Sequence, residues 1–220
     1  MAANPKEKNK DRKELWNEER AESHSQWAKI GLKLIYAPFA RKIAKNLPPL
    51  SNFPIVDLGT GPGILSIELS KLLPDAKIIG IDPSPHMLKI AQHNADEAHI
   101  QNFETRLGRA ENIPVESETV DCVINQFSLH EWDDPQEGLK EVFRILKPGG
   151  SFMLRDFNKG WLAGWKLKMI KGLITIIGEG HMEMFKFNAE EMANLLREAG
   201  FSKVETLGKG FTAFFHAVKE

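Results

Sequence analysis

From position 55 onward, apolar residues follow two alternating patterns. Short, nearly unbroken apolar runs recur, and between them apolar residues fall three or four positions apart. An unbroken run suits a strand buried on both faces, whereas three-to-four spacing suits a helix with one buried face. Alternation of the two predicts βαβ units around a parallel sheet. Predicted strands are 55–58, 77–81, 103–107, 119–125 and 151–155, with two more at 203–206 and 212–218. The helix after the first strand places Leu65, Leu69 and Leu72 on one face and closes before Pro74. Ser84 can cap the next helix, with Pro85 at its first position. Asp134, Pro135 and Glu137 form a similar start. Leu139, Val142, Phe143 and Leu146 follow at helical spacing, and Lys147-Pro148-Gly149-Gly150 stops the helix. Asn188 caps a last helix with Met192, Leu195, Leu196 and Ala199 inside and Gly200 as terminator.

Two segments depart from this rhythm. Residues 1–50 are read as an N-terminal helical extension: a charged stretch to about Glu22, then a helical pattern over 27–47, broken at Pro38 and ended by Pro48-Pro49. Residues 51–220 form the main domain. Within it the alternation is suspended over 157–187, which reads as a helical, lid-like insertion before the last helix and strand pair.

Composition narrows the function classes. A chain of 220 residues suits one domain, and 29 basic against 30 acidic side chains give no global field to recruit nucleic acid. The lone Cys122 sits in an apolar run, so no internal disulfide or thiolate metal cage is expected. No apolar stretch reaches the roughly 20 residues needed to span a bilayer. The charged first 20 residues lack the apolar core of a signal peptide. A cytoplasmic protein is expected.

The chemistry concentrates at predicted strand ends. Val56-Asp57-Leu58-Gly59-Thr60-Gly61-Pro62-Gly63 places a glycine-rich turn between a buried strand and a helix. There the backbone can approach a ligand closely. Asp57, Asp82, Asn125 and Asp156 all fall near strand ends, where open α/β sheets bind ligands. Asp82, about 20 residues past the turn, stands where a carboxylate accepts ribose hydroxyls. A dinucleotide fingerprint would put its third glycine at position 64, but that residue is Ile64. A nicotinamide enzyme is thereby disfavoured.

The chain resembles the class I S-adenosylmethionine-dependent methyltransferases, in particular the small-molecule branch that includes the ubiquinone and menaquinone C-methyltransferases. The resemblance rests on 56–63, on Gly80-Ile81-Asp82-Pro83-Ser84, on Arg109-Ala110-Glu111-Asn112-Ile113-Pro114, and on 142–150. It implies a Rossmann-like, doubly wound α/β fold with a seven-stranded sheet whose last strand is antiparallel. It also implies S-adenosylmethionine as cofactor and S-adenosylhomocysteine as product. Asp57, Gly59, Thr60, Gly61 and Gly63 would cradle the methionine part, Asp82 the ribose, and Pro83 the adenine. Arg109 stands where the family often has an adenine-binding aspartate, so Ala110 or Glu111 would take that contact. Asn125 would complete the cofactor set.

Methyl transfer from a sulfonium needs mainly in-line placement, and a base only if the acceptor must lose a proton. His130, in the segment after the fourth strand, is the leading base candidate, with His181 and Glu183 behind it. The remaining histidines lack metal spacing, so no metal is expected. Trp161, Trp165, Phe157 and Phe185 either line an apolar acceptor pocket or pack as core. The expected partner is a small, apolar or amphipathic methyl acceptor, with its accepting O, N, S or C atom open. The rivals are a quinone or lipid methyltransferase in contact with a membrane surface, and a non-catalytic cofactor-binding protein. The oligomeric state is not legible.

Overall fold

The computed structural model describes residues 33–47, 54–162 and 184–220. The chain divides into two compact units, Met1–Arg109 and Ala110–Glu220.

In the first unit, α1 (Lys33–Asn46) precedes β1 (Ile55–Leu58), α2 (Ile64–Leu72), β2 (Ile78–Asp82), α3 (Pro85–Glu97) and β3 (Phe103–Leu107). β1 pairs parallel to β2, and β2 parallel to β3. Every residue of β1 and β2 is buried, as the unbroken apolar runs require. Each such aliphatic side chain contributes roughly 1.5–3 kcal/mol of burial. Two expectations need correction. The helix expected to break at Pro38 runs through it, so α1 continues with one backbone donor missing. Leu72 is 42% exposed, and α2 instead buries Leu65, Ser66, Ile67, Leu69 and Ser70. Its inner face includes two serines, which hydrophobic periodicity alone does not register.

In the second unit come β4 (Val120–Gln126), α4 (Pro135–Ile145), β5 (Leu146–Phe157), α5 (Ala189–Glu198), β6 (Lys203–Lys209) and β7 (Thr212–Val218). β4 is parallel to β5, while β7 runs antiparallel to both β5 and β6. The strands form one seven-stranded sheet in the order β3-β2-β1-β4-β5-β7-β6, the doubly wound α/β arrangement expected, with its last strand antiparallel. Asp134 accepts from the Gln136 and Glu137 amides at the start of α4. Asn188 and Glu191 form a full capping box on α5. The Lys147-Pro148-Gly149-Gly150 stop lies within the bounds of β5, where the register against β4 shifts and Gly149 adopts φ 79°.

The charged stretch of the extension, the start of its helical pattern before residue 33, and most of the insertion, with His181, Glu183 and Trp165, lie outside the described residues. Among the described residues no helix is long and apolar enough to cross a membrane.

Candidate active site

In the first unit, β1 ends at Leu58 and the chain enters the turn with Gly59, Gly61 and Gly63 at φ 75°, 50° and 76°. These are left-handed conformations that side chains other than glycine's rarely adopt. Asp57 fastens the turn from behind: its Oδ2 accepts from Thr60 Oγ1 at 2.9 Å and from Ser66 Oγ at 2.6 Å. Burial pushes the Asp57 carboxyl up to about 6, against the downward pull of those two hydroxyls. Asp82, at the end of β2, holds the turn from the neighbouring strand. One of its oxygens accepts from the Gly61 amide and the other from the Ser84 amide, each at 2.9 Å. Asn94 of α3 adds a 2.8 Å bond to the Pro62 carbonyl. A Cβ on Gly61 would meet nothing within 4 Å, so the turn's outer face has room for a ligand at that point. Pro83 is exposed.

In the second unit, β4 ends at Gln126 and Phe127 follows with φ 58°. A 3-10 turn over Leu129–Glu131 then brings His130 to Asp156, near the end of β5. His130 Nδ1 lies 2.8 Å from Asp156 Oδ1, and the His130 amide donates to Asp156 Oδ2 at 3.1 Å. The Phe157 amide also donates to that carboxylate, at 2.7 Å. Both residues are buried, His130 at 8% and Asp156 at 1% exposure. A carboxylate against Nδ1 keeps the proton on that nitrogen, so neutral His130 presents Nε2 as its basic atom. Burial opposes charge on the ring most strongly. The hydrogen bond and charge of Asp156, with Glu131, outweigh it despite Lys186, and hold His130 above its usual 6.5.

One aromatic ring, Phe157, borders this pair and joins it to further rings. Phe157 meets His130 edge-on at 5.7 Å, stacks on Phe127 at 4.5 Å, and touches Phe185 and Phe211. Trp161 closes on Phe211 at 5.1 Å.

A family model described as a methyltransferase domain matches residues 49–200. The chain belongs to that family. It is similar to the demethylmenaquinone methyltransferase of Lactococcus lactis, at 30% identity over 74% of this chain and 71% of that one. It is also similar to that of Chlorobaculum tepidum, at 31% identity over 76% and 72%. Among solved structures, one from Methanococcus maripaludis, described as an S-adenosyl-L-methionine-dependent methyltransferase, superposes with a TM-score of 0.75. It shares 26% identity and covers 92% of this chain and 93% of its own. The protein is thus a methyltransferase that uses S-adenosylmethionine.

Within this methyltransferase the expected residues are divided between the two units. Asp57, Gly59, Thr60, Gly61, Gly63 and Asp82 meet in the first unit. Three further expected residues belong to the second. Ala110 is buried, and Glu111 Oε1 accepts from the Asp133 and Asp134 amides at 2.8 and 3.2 Å. Asn125 Nδ2 donates to Ser128 Oγ, which also accepts from Trp132 Nε1. Sequence reasoning singled out His130 but not its pairing with Asp156, nor the bond of Ser66 to Asp57. Asp156 carried one usable signal: it nearly ends a strand parallel to β4, as Asn125 nearly ends β4 itself.

Proposed function

We propose that this methyltransferase methylates a hydroxylated aromatic acceptor of the reduced-quinone kind, with His130 taking the proton of the acceptor's hydroxyl. The His130–Asp156 pair carries this reading. A buried histidine oriented by a carboxylate and bordered by the Phe157 ring suits an acceptor that is both apolar and in need of deprotonation. The two demethylmenaquinone methyltransferase relatives support the same class.

The glycine turn suits the cofactor, since it leaves open space beside Gly61 and is anchored by two carboxylates. Asp57, Gly59, Thr60, Gly61 and Gly63 would hold its methionine portion, and Asp82 its ribose. The cofactor supplies a methyl carbon made electrophilic by its sulfonium. His130 Nε2 accepts the hydroxyl proton, and Asp156 keeps the Nδ1 proton in place and balances the imidazolium that forms. Loss of the proton raises electron density on the acceptor's oxygen and the adjacent ring carbons. Phe127, Phe157 and Phe185 offer apolar surface to the ring and exclude water from it.

The test uses S-adenosylmethionine labelled in its methyl group and a short-chain demethylmenaquinone kept reduced. Label is expected in the extracted naphthoquinone. His130→Gln should lower kcat by roughly 100-fold or more while cofactor Kd stays within about twofold. No transfer by the parent protein would refute the acceptor class, and an unchanged kcat in His130→Gln would refute the base. Asp82→Ala should weaken binding of S-adenosylmethionine and S-adenosylhomocysteine alike by about tenfold or more. Unchanged binding would remove Asp82 from the cofactor site.

A further inference from the structure

Gln126 closes β4 with its side chain 94% out of solvent, its exposure being 6%. Among the described residues it is the side chain whose amide nitrogen and carbonyl oxygen are both buried without a hydrogen-bond partner. A buried amide in that condition has given up water on its donor and its acceptor alike, with no return from the fold. Folding selects against such a residue unless something else engages it, because leucine would fill similar space at no polar cost.

The next residue is anomalous as well. Phe127 adopts φ 58°, a conformation that a bulky side chain rarely takes. Strain of this kind persists where surrounding structure over-determines it, and it gathers at ligand sites. Here the surroundings are visible: the Phe127 amide bonds the Arg155 carbonyl at 2.9 Å, and its ring stacks on Phe157, the ring that abuts His130. Phe127, the residue next to Gln126, is therefore part of the aromatic cluster that reaches His130 through Phe157.

From these two neighbouring features we infer that Gln126 is a specificity residue that hydrogen-bonds a polar group of the methyl acceptor. This rests on the proposed acceptor class. An amide presents a donor and an acceptor side by side. Its complement is an acceptor carrying a hydroxyl or carbonyl at a position other than the one His130 deprotonates. A reduced quinone, with two oxygens across one ring, has that form.

The experiment compares the parent with Gln126→Leu and Gln126→Glu in the full chain. The reduced short-chain demethylmenaquinone is the probe, and ligand-free Tm, cofactor Kd and steady-state kinetics are the readouts. Gln126→Leu should leave ligand-free Tm equal or higher and cofactor Kd within about twofold, while KM for the probe rises about tenfold. Gln126→Glu retains an acceptor and should keep part of the lost affinity. A fall in Tm for Gln126→Leu would mean that the amide serves the fold, and would overturn the inference. So would a weakened cofactor Kd, which assigns Gln126 to the cofactor, or an unchanged KM. If the parent does not methylate the probe, the proposed acceptor class falls. Gln126 is then judged on ligand-free Tm and cofactor Kd, where a loss in either still overturns its assignment.

Discussion

Asp57→Asn should reverse a pH-dependent weakness built into the glycine turn. In the unfolded chain this carboxyl loses its proton near the ordinary 3.8, whereas in the folded protein burial holds it until about pH 6. Between those values the folded state keeps a proton that the unfolded state has released, so stability falls as pH rises through the window. A displacement of about two pKa units corresponds to about 3 kcal/mol, of which about 2 kcal/mol falls between pH 4.5 and 7.5. Asparagine can present a carbonyl oxygen to Thr60 and Ser66 but has no proton to lose. The stability of Asp57→Asn minus that of the parent should therefore grow by about 2 kcal/mol across that range. Urea unfolding of the ligand-free proteins, followed by tryptophan fluorescence at a series of pH values, measures this difference. Parallel pH curves for parent and variant would refute the reasoning. They would show that the two hydroxyls, and not burial, govern Asp57.

Three further outcomes follow from the geometry. The parent's kcat/KM should rise with pH through a midpoint above 6.5, because the base must be neutral and His130 is held above that value. Asp156→Asn should move the midpoint down, and an unmoved midpoint would separate His130 from the profile. Gly80→Ala places a Cβ 2.7 Å from the Phe103 ring and 2.9 Å from Thr60 Cγ2. It should lower stability by about 1–3 kcal/mol through overpacking, and unchanged urea unfolding would mean that the ring moves aside at no cost. Asn188→Ala removes the acceptor that caps the Glu190 and Glu191 amides at 2.9 and 3.0 Å. Loss of about 1 kcal/mol is expected in the same assay, and no loss would place those amides in water at no penalty.

Much of this architecture could be read along the chain because its signals are local. A proline at the first helical position after Ser84 or Asp134 announces a helix start without knowledge of distant residues. Asn188 and Glu191 fix another in the same way. Leu72 misled because spacing ranks residues by hydrophobicity, whereas α2 turns Ser66 inward to meet Asp57. The glycine turn was legible for a similar reason, its glycines being needed by the backbone itself. His130 was legible as a candidate but its partner was not. Asp156 lies 26 residues away, and only the β4–β5 register brings it to Nδ1. Gln126 gave no signal, since a strand-end glutamine is unremarkable until its surroundings are seen to leave both amide atoms unanswered.

Asp82 has a consequence for how this enzyme can be altered. One short carboxylate serves the Gly61 amide of one loop and the Ser84 amide at the head of α3. Lengthening it by a methylene cannot keep both bonds, so even Asp82→Glu would release one loop or the other. Among the described residues, the rings of Phe127, Phe157, Phe185 and Phe211 carry no comparable double duty on backbone amides, and ring size or shape there can change with the main chain left in place. Directed evolution toward new acceptors should therefore concentrate its successful substitutions at Phe127, Phe157, Phe185 and Phe211, and leave the glycine turn as found.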